Sequence, residues 1–267
     1  MLLSALFPWS QRHLILQFSQ REILARYRGS ILGLAWVVIN PLLMLAVYTF
    51  VFQYVFKSKW PTSTVNQGGL DFSIQVYSGL ILFNCFAEII SRAPRLILEQ
   101  PNLVKKVVFP LEILPWVSVL AGLFHLTLNS FILLGALWIN QGHLPSTLLA
   151  LPVLWLPFIF LLLAIAWLLA ALGTYLRDLA QITVMAINML MFLSPIFYAT
   201  SALPPRWQPW LQLNPLTFFI ETQRNMLVQN IWPNPKTLLL YLLGTLIAAG
   251  VNAYIFLQLK KGFADVL

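Results

Sequence analysis

Six runs of apolar residues, each about as long as a membrane is thick, constrain this chain more than any motif in it. An α-helix rises ~1.5 Å per residue and bilayer hydrocarbon is ~30 Å thick, so one crossing takes about 20 residues. Such runs fall at 31–56, 74–92, 111–139, 148–173, 182–200 and 237–258. With 60% hydrophobic and only 9% charged residues, the chain also has too little charge to cover a soluble globule, where about a quarter of residues would be charged. The sequence therefore predicts a single all-α integral membrane domain over 1–267, with six transmembrane helices and both termini on one side. The first long run begins at Ile31 and exceeds a signal-peptide core, so the N-terminus reads as retained.

Charge orients the spans. The chain has 16 Lys and Arg against 8 Asp and Glu, a formal net charge of +8. These cations lie in the short segments between apolar runs and form no stripe, so they argue for topology and against nucleic acid as a partner. With the termini inside, the inner segments hold Arg12, Arg21, Arg26, Arg28, Arg92, Arg95, Lys105, Lys106, Arg177, Lys260 and Lys261. The outer ones hold Lys57, Lys59, Arg206, Arg224 and Lys236. The excess marks the termini as cytoplasmic. Trp60, Trp138, Trp207, Trp210 and Trp232 fall near the outer ends of spans, where indole rings prefer the interface.

Two segments outside the spans have a character of their own. Residues 9–28 predict a helix with Trp9, Leu16, Ile23 and Tyr27 on one face and Arg21 and Arg28 elsewhere, an amphipathic interface helix that meets anionic lipid on the inner side. The arginines equally serve topology alone. Residues 201–236 carry six prolines around LTFFIETQRNMLV, an apolar stretch of about a dozen residues that is too short to span. It predicts a helix that dips into the outer surface or lies on it.

The chemistry of an enzyme or an ion-coupled transporter is missing from the sequence. There is no G-x-x-x-x-G-K-[ST] or G-x-G-x-x-G motif to cradle phosphates, so no cofactor is expected in this chain. His13, His125 and His143 are scattered without ligand spacing, and Cys85 is the single cysteine, so no metal site is expected. His125, midway along the third run, reads as hydrogen-bonded within the bundle, and Glu88 with Arg92 as an i,i+4 ion pair on the second run. The other mid-run polar residues are few, so energy must come from elsewhere. Asp71, Glu99, Glu112, Asp178, Glu221 and Asp265 are isolated, which argues against the rival reading of a multispan lipid-linked sugar transferase.

Five stretches, in order, carry a resemblance to a known family: RYRGSILGLAWVVINPLL, VVFPLEILP (107–115), YLRDLAQI (175–182), SPIFYAT (194–200) and LNPLTFFIETQRNML (213–227). The chain resembles type-2 ABC transporter permeases of the polysaccharide-export branch, which handles O-antigen and teichoic acid. The resemblance implies six spans with cytoplasmic termini in the bacterial inner membrane, a homodimer, two separate ATPase subunits that bind ATP and Mg, and export of a lipid-linked glycan such as an O-antigen. Capsule, teichoic acid or drug export by the same fold stays open. The resemblance also implies that residues 9–28 and the loop 95–110 contact the ATPase. This places Arg21, Arg26, Arg28, Glu99, Asn102, Lys105 and Lys106 at the coupling surface. Independently of the family, Pro94, Pro101 and Pro110 predict a loop cut into short rigid pieces. The region 201–236 then corresponds to an outer gate formed by short re-entrant helices, with Trp207, Trp210, Glu221 and Arg224 as its candidate residues.

Aromatic spacing suggests a path for the glycan. Tyr48, Phe52 and Phe56 recur every four residues on one helical face, and Phe192, Phe197 and Tyr198 surround Pro195. Aromatic planes accept the apolar faces of sugar rings without fixing them. The same residues also suit ordinary packing or an interfacial belt.

Overall fold

The computed structural model describes residues 5–30, 32–51, 69–105 and 109–266, and all regular structure among them is helical. Eight helices carry the architecture: α1 Arg12–Tyr27, α2 Trp36–Thr49, α3 Gly69–Arg92, α4 Leu114–Gln141, α5 Leu151–Tyr175, α6 Leu179–Leu193, α7 Pro215–Gln229 and α8 Pro235–Leu259. Four stretches among the described residues are long and apolar enough to cross a membrane: Phe72–Arg95, Leu111–Gln141, Ser146–Tyr175 and Pro235–Val266.

The two other expected crossings are shorter in the described residues. Helices α2 and α6 are apolar but have 14 and 15 residues, about 21 to 23 Å of rise against ~30 Å of hydrocarbon. For α6 the cause is local. Ser194 precedes Pro195, whose ring disfavours helical geometry in the residue before it, and Ser194 is extended at ψ 146°. The run expected as a span over 182–200 therefore turns at its own proline. The first run was expected to reach Phe56, but 52–68 lies outside the described residues, and with it Phe52 and Phe56.

Helix α3 is the core. In its apolar window 83% of residues are buried, against 17% in α8, because α2, α4, α5, α6 and α7 all pack on it. Two glycines set how closely its neighbours approach. At Gly122 of α4 a Cβ would come within 2.6 Å of Ile89 Cδ1 on α3. A Cβ at Gly173 of α5 would overlap the carbonyl of Pro94, in the turn that follows α3. Helix α8 packs chiefly on α5, with Asn252 Nδ2 donating to Ala164 O at 3.0 Å, and it leaves Leu240, Ile247 and Val251 outward.

The ends of the bundle differ in what they gather. One end collects α1, the turn after Arg92, the 111–113 turn, the end of α5 and the end of α8. There Lys260 Nζ meets Glu112 Oε2 at 2.6 Å, the Tyr175 hydroxyl donates to Leu259 O at 2.8 Å and Trp167 Nε1 donates to Glu112 O at 3.0 Å. The segment before α1 joins this end, where Trp116 Nε1 donates to Ala5 O at 2.9 Å. These are the segments that the charge distribution assigns to the cytoplasm. The opposite end holds α7, whose start is fixed by Asn214 accepting from Leu216 N, with Pro215 as the first helical residue. Far from lying flat on the bundle, α7 packs against α3 and α5 and buries Leu216, Phe219, Ile220, Gln223, Arg224, Met226 and Leu227.

Candidate functional site

Helix α1 meets the bundle with a face other than its most apolar one. Ile15 and Ser19 are buried, Ser19 Oγ lies 3.3 Å from Val117 O, and Glu22 and Arg26 continue the same 4, 3, 4 spacing. Of the expected face, Trp9 and Leu16 are outward at 78% and 53% exposed, whereas Ile23 and Tyr27 are half-buried. The small Ser19 allows close approach to α4, and the two charged residues find ion-pair partners on α3, which is why this face packs.

Those partners correct the expected pairing within α3. Glu88 and Arg92 do not pair with each other; each reaches back to α1. Arg26 Nη1 contacts Glu88 Oε1 at 2.7 Å, and Arg92 Nη1 contacts Glu22 Oε1. On α3 alone the i,i+4 pair is available, but α1 brings two groups of opposite sign into the same space, and crossing the pairs satisfies all four charges. His125 of α4 completes the inner network. Its Nδ1 lies 2.9 Å from Glu88 Oε1 and its Nε2 lies 3.1 Å from the Tyr27 hydroxyl. Arg26 Nη1 lies 3.3 Å from the same Nδ1; with its proton on Nδ1 the ring donates to the carboxylate and accepts from Tyr27 at Nε2. The expectation that His125 is hydrogen-bonded within the bundle holds. Asn129 Nδ2 donates to His125 O at 2.7 Å and Tyr77 donates to Asn129 Oδ1 at 2.9 Å, so the polar seam climbs α4 toward α3.

Electrostatics at this junction follow burial. Burial pushes the Glu22 carboxyl above its ordinary range although Arg92, and then Arg26, pull it down. Tyr27 is raised for the same reason. Beside the pairs lies a groove of about 560 Å³ lined by Arg21, Glu22, Arg26, Arg92, Leu96 and Glu99. It joins α1 to the loop that follows α3.

The remaining candidates fall as follows. Arg21 and Arg28 are exposed, whereas Arg26 is engaged by Glu88. Glu99, Asn102 and Lys105 are exposed on short pieces, a turn over 96–99 and the helix Pro101–Lys105, and Lys106 lies outside the described residues. Tyr48 and Phe197 are half-buried, Phe192 is 70% exposed, and the Tyr198 hydroxyl donates to Phe192 O at 3.2 Å across the turn at Pro195.

At the outer end Trp207 and Trp210 are exposed, and Thr200 Oγ1 donates to Glu221 Oε1. Arg224 is only 3% exposed. Its Nε donates to Gln75 O at 3.2 Å and its Nη2 donates to Pro195 O at 2.8 Å and Ile196 O at 3.1 Å. Burial lowers its pKa to about 10 against a smaller opposing effect of Glu221, which leaves it charged at neutral pH. Next to it Gln223 Nε2 donates to Ser78 O at 2.9 Å, and Gln223 Oε1 accepts from Trp155 Nε1 at 3.1 Å. Reading the sequence missed this locking role, and also the polar neighbours Thr200, Ser201, Gln208, Asn225 and Gln229, which share a cavity with Glu221 and Arg224. The signal was a glutamine and an arginine inside an apolar stretch, which only packing could explain.

Comparison with known proteins now adds to this geometry. Over 256 residues, 95% of either chain, the protein is 23% identical to the O-antigen export system permease protein RfbA of Klebsiella pneumoniae. It is 27% identical over 260 residues, 96% of either chain, to the protein of the same name from Myxococcus xanthus. The polysialic acid transport protein KpsM of Escherichia coli is 23% identical over 206 residues, 76% of this chain and 77% of that one. Residues 13–228 match the model of the ABC-2 type transporter family. The chain belongs to that family: it is a multi-pass ABC-2 membrane permease, of a kind that lacks an ATPase domain and relies on an ATPase partner.

Proposed function

We propose that this permease is the transmembrane subunit of an ATP-driven exporter that moves a lipid-linked, O-antigen-like polysaccharide across the bacterial inner membrane. The observation that carries the reading is the nearly end-to-end match to permeases of O-antigen export. The shorter match to a polysialic acid transport protein makes an acidic polysaccharide the second reading.

In this reading two copies assemble with two ATPase subunits, and the ATPases hold the ATP and Mg. Helices α2 and α6 complete six crossings and line the glycan path. Their outward residues support this role: Leu43 and Val47 on α2, and Ile182, Met185, Met189 and Phe192 on α6, are exposed among the described residues. Arg21 and Glu99 line the inner groove where an ATPase docks, Arg28, Asn102 and Lys105 are exposed on the segments that flank it, and the crossed ion pairs carry its movement from α1 into α3. Helix α7 with its preceding turns acts as the outer gate.

The test is genetic and biochemical together. Deleting the gene in its host should abolish surface glycan while lipid-linked glycan accumulates inside, and the intact gene should restore export with an ATPase copurifying. Surface glycan unchanged by the deletion, in a strain without a second such permease, overturns the proposal.

A further inference from the structure

The export reading leaves the polar cavity beside Arg224 without a role. This cavity measures about 330 Å³, at the lower end of the ~300–1,000 Å³ range of ligand pockets. Thr200, Ser201, Gln208, Glu221, Asn225 and Gln229 line it, with Arg224 alongside. Each of these six brings a hydroxyl, an amide or a carboxylate, in a protein whose surface is otherwise mostly apolar. Local contacts fix part of the set: Thr200 holds Glu221 Oε1, and Gln208 Nε2 donates to Leu203 O at 3.0 Å. Glu221 Oε2 and the Gln208 carbonyl oxygen stay available as acceptors, and the Asn225 amide supplies donors and an acceptor.

The charge balance selects among ligands. Arg224 already donates to three main-chain carbonyls, and the Glu221 carboxylate beside it opposes any phosphate or carboxylate that enters. A neutral ligand rich in hydroxyls is what such a set can satisfy, because each hydroxyl both donates and accepts.

We infer that this cavity is a saccharide subsite in which Glu221, Asn225 and Gln208 hydrogen-bond the hydroxyls of one sugar unit on the outer side of the membrane. The inference rests on the export reading and adds to it a place and a set of recognising groups. It makes the outer region a binding surface that holds the chain as it leaves, so that a unit already across is retained while the next one moves.

Cysteine protection tests it in the assembled permease with its ATPase. Ser201→Cys places an exposed thiol at the cavity, while the native Cys85 is buried. A membrane-impermeant maleimide should label S201C, and neutral oligosaccharides released from the host's own surface glycan should slow that labelling, whereas inorganic phosphate should not. Adding E221Q should raise the sugar concentration needed by about tenfold, as expected when a charge-assisted hydrogen bond becomes a neutral one, and N225A should act in the same direction if E221Q fails to assemble. Sugar that leaves labelling unchanged in a strain that displays its glycan overturns this inference alone. Protection by phosphate instead of sugar also overturns it, and a permease that carries no glycan to the surface sinks the export reading and this inference together.

Discussion

The two ends of the bundle neutralise buried charge in opposite ways. At the inner end charge meets charge: Arg26 with Glu88, Arg92 with Glu22, and His125 beside the first pair. At the outer end Arg224 is held by three main-chain carbonyls, and Glu221 acts on it only from a distance. Carbonyls belong to the backbone of α3 and of the turn after α6, so the outer arrangement is fixed unless those elements move. The inner carboxylates have alternatives within reach, since Glu88 has Arg92 one helical turn away and Glu22 has Arg26. A joint built from exchangeable ion pairs can shift register at modest cost, whereas one built on backbone acceptors resists. The comparison teaches that α1 can shift against the bundle on its own, whereas α7 works as a gate only together with the start of α3 and the turn after α6, to which Arg224 anchors it.

The largest expected effect is at the anchored end. Arg224→Ala leaves the carbonyls of Gln75, Pro195 and Ile196 without this donor, and at ~1–3 kcal/mol for each buried unsatisfied group the loss should be on the order of 4 kcal/mol. Thermal unfolding in detergent should show it as loss of most of the extractable folded protein. Arg224→Lys should recover only part, because a single ammonium lacks the fixed fork of donors. Near-native behaviour of R224A would erase the distinction between the two ends.

A smaller effect is expected at the movable joint. Glu88→Gln leaves Arg26 and His125 facing a neutral amide, and because Arg26 is 35% and Glu88 22% exposed at the side chain, the cost should stay near 2 kcal/mol, below the 3–5 kcal/mol of a fully buried pair. A double-mutant cycle of E88Q with R26Q should return a coupling of about 1 to 2 kcal/mol. If the pair is exchangeable, the coupling between Glu88 and Arg92 should grow once Arg26 is replaced. A coupling that stays at zero would show that the pairs do not trade partners.

The smallest effect is one of pH. Burial raises the Glu22 carboxyl above the ordinary value of 4.5, so the folded state holds the proton more tightly than the unfolded one. Its contribution to stability is therefore complete below the ordinary carboxyl range and is lost as pH rises through the raised value. The sign follows from linkage. Melting temperatures of wild type and E22Q measured from acid to neutral pH should diverge, with the wild type losing ground as pH rises. Parallel profiles would mean that Arg92 offsets the burial in full.

Much of the molecule was legible in its residues. The four long spans follow from apolar length alone, because hydrocarbon demands about 20 such residues whatever the topology. The helix of α1 was foreseen at 9–28 and runs from Arg12 to Tyr27, and the motif stretches pointed to the family that the match over 13–228 shows. What misled the reading was local logic applied to groups with distant partners. Glu88 and Arg92 looked like a pair because they are one turn apart, and the reading of α1 as an interface helix named no face of it, such as that of Ile15 and Ser19, for packing on the bundle. Neither inference can see α1 arriving against α3 and α4.

The sequence by itself determined which stretches are apolar, how long they are, where proline ends a helix and where positive charge accumulates. These follow from single residues and their nearest neighbours in the chain. Only the tertiary structure decided that Ser19 rather than Leu16 faces α4, that two ion pairs cross between α1 and α3, and that Arg224 spends its donors on carbonyls of residues 75, 195 and 196. The reason is that a buried charge settles on whichever opposite charge or dipole packing brings within about 3 Å, and that distance is set by the whole bundle.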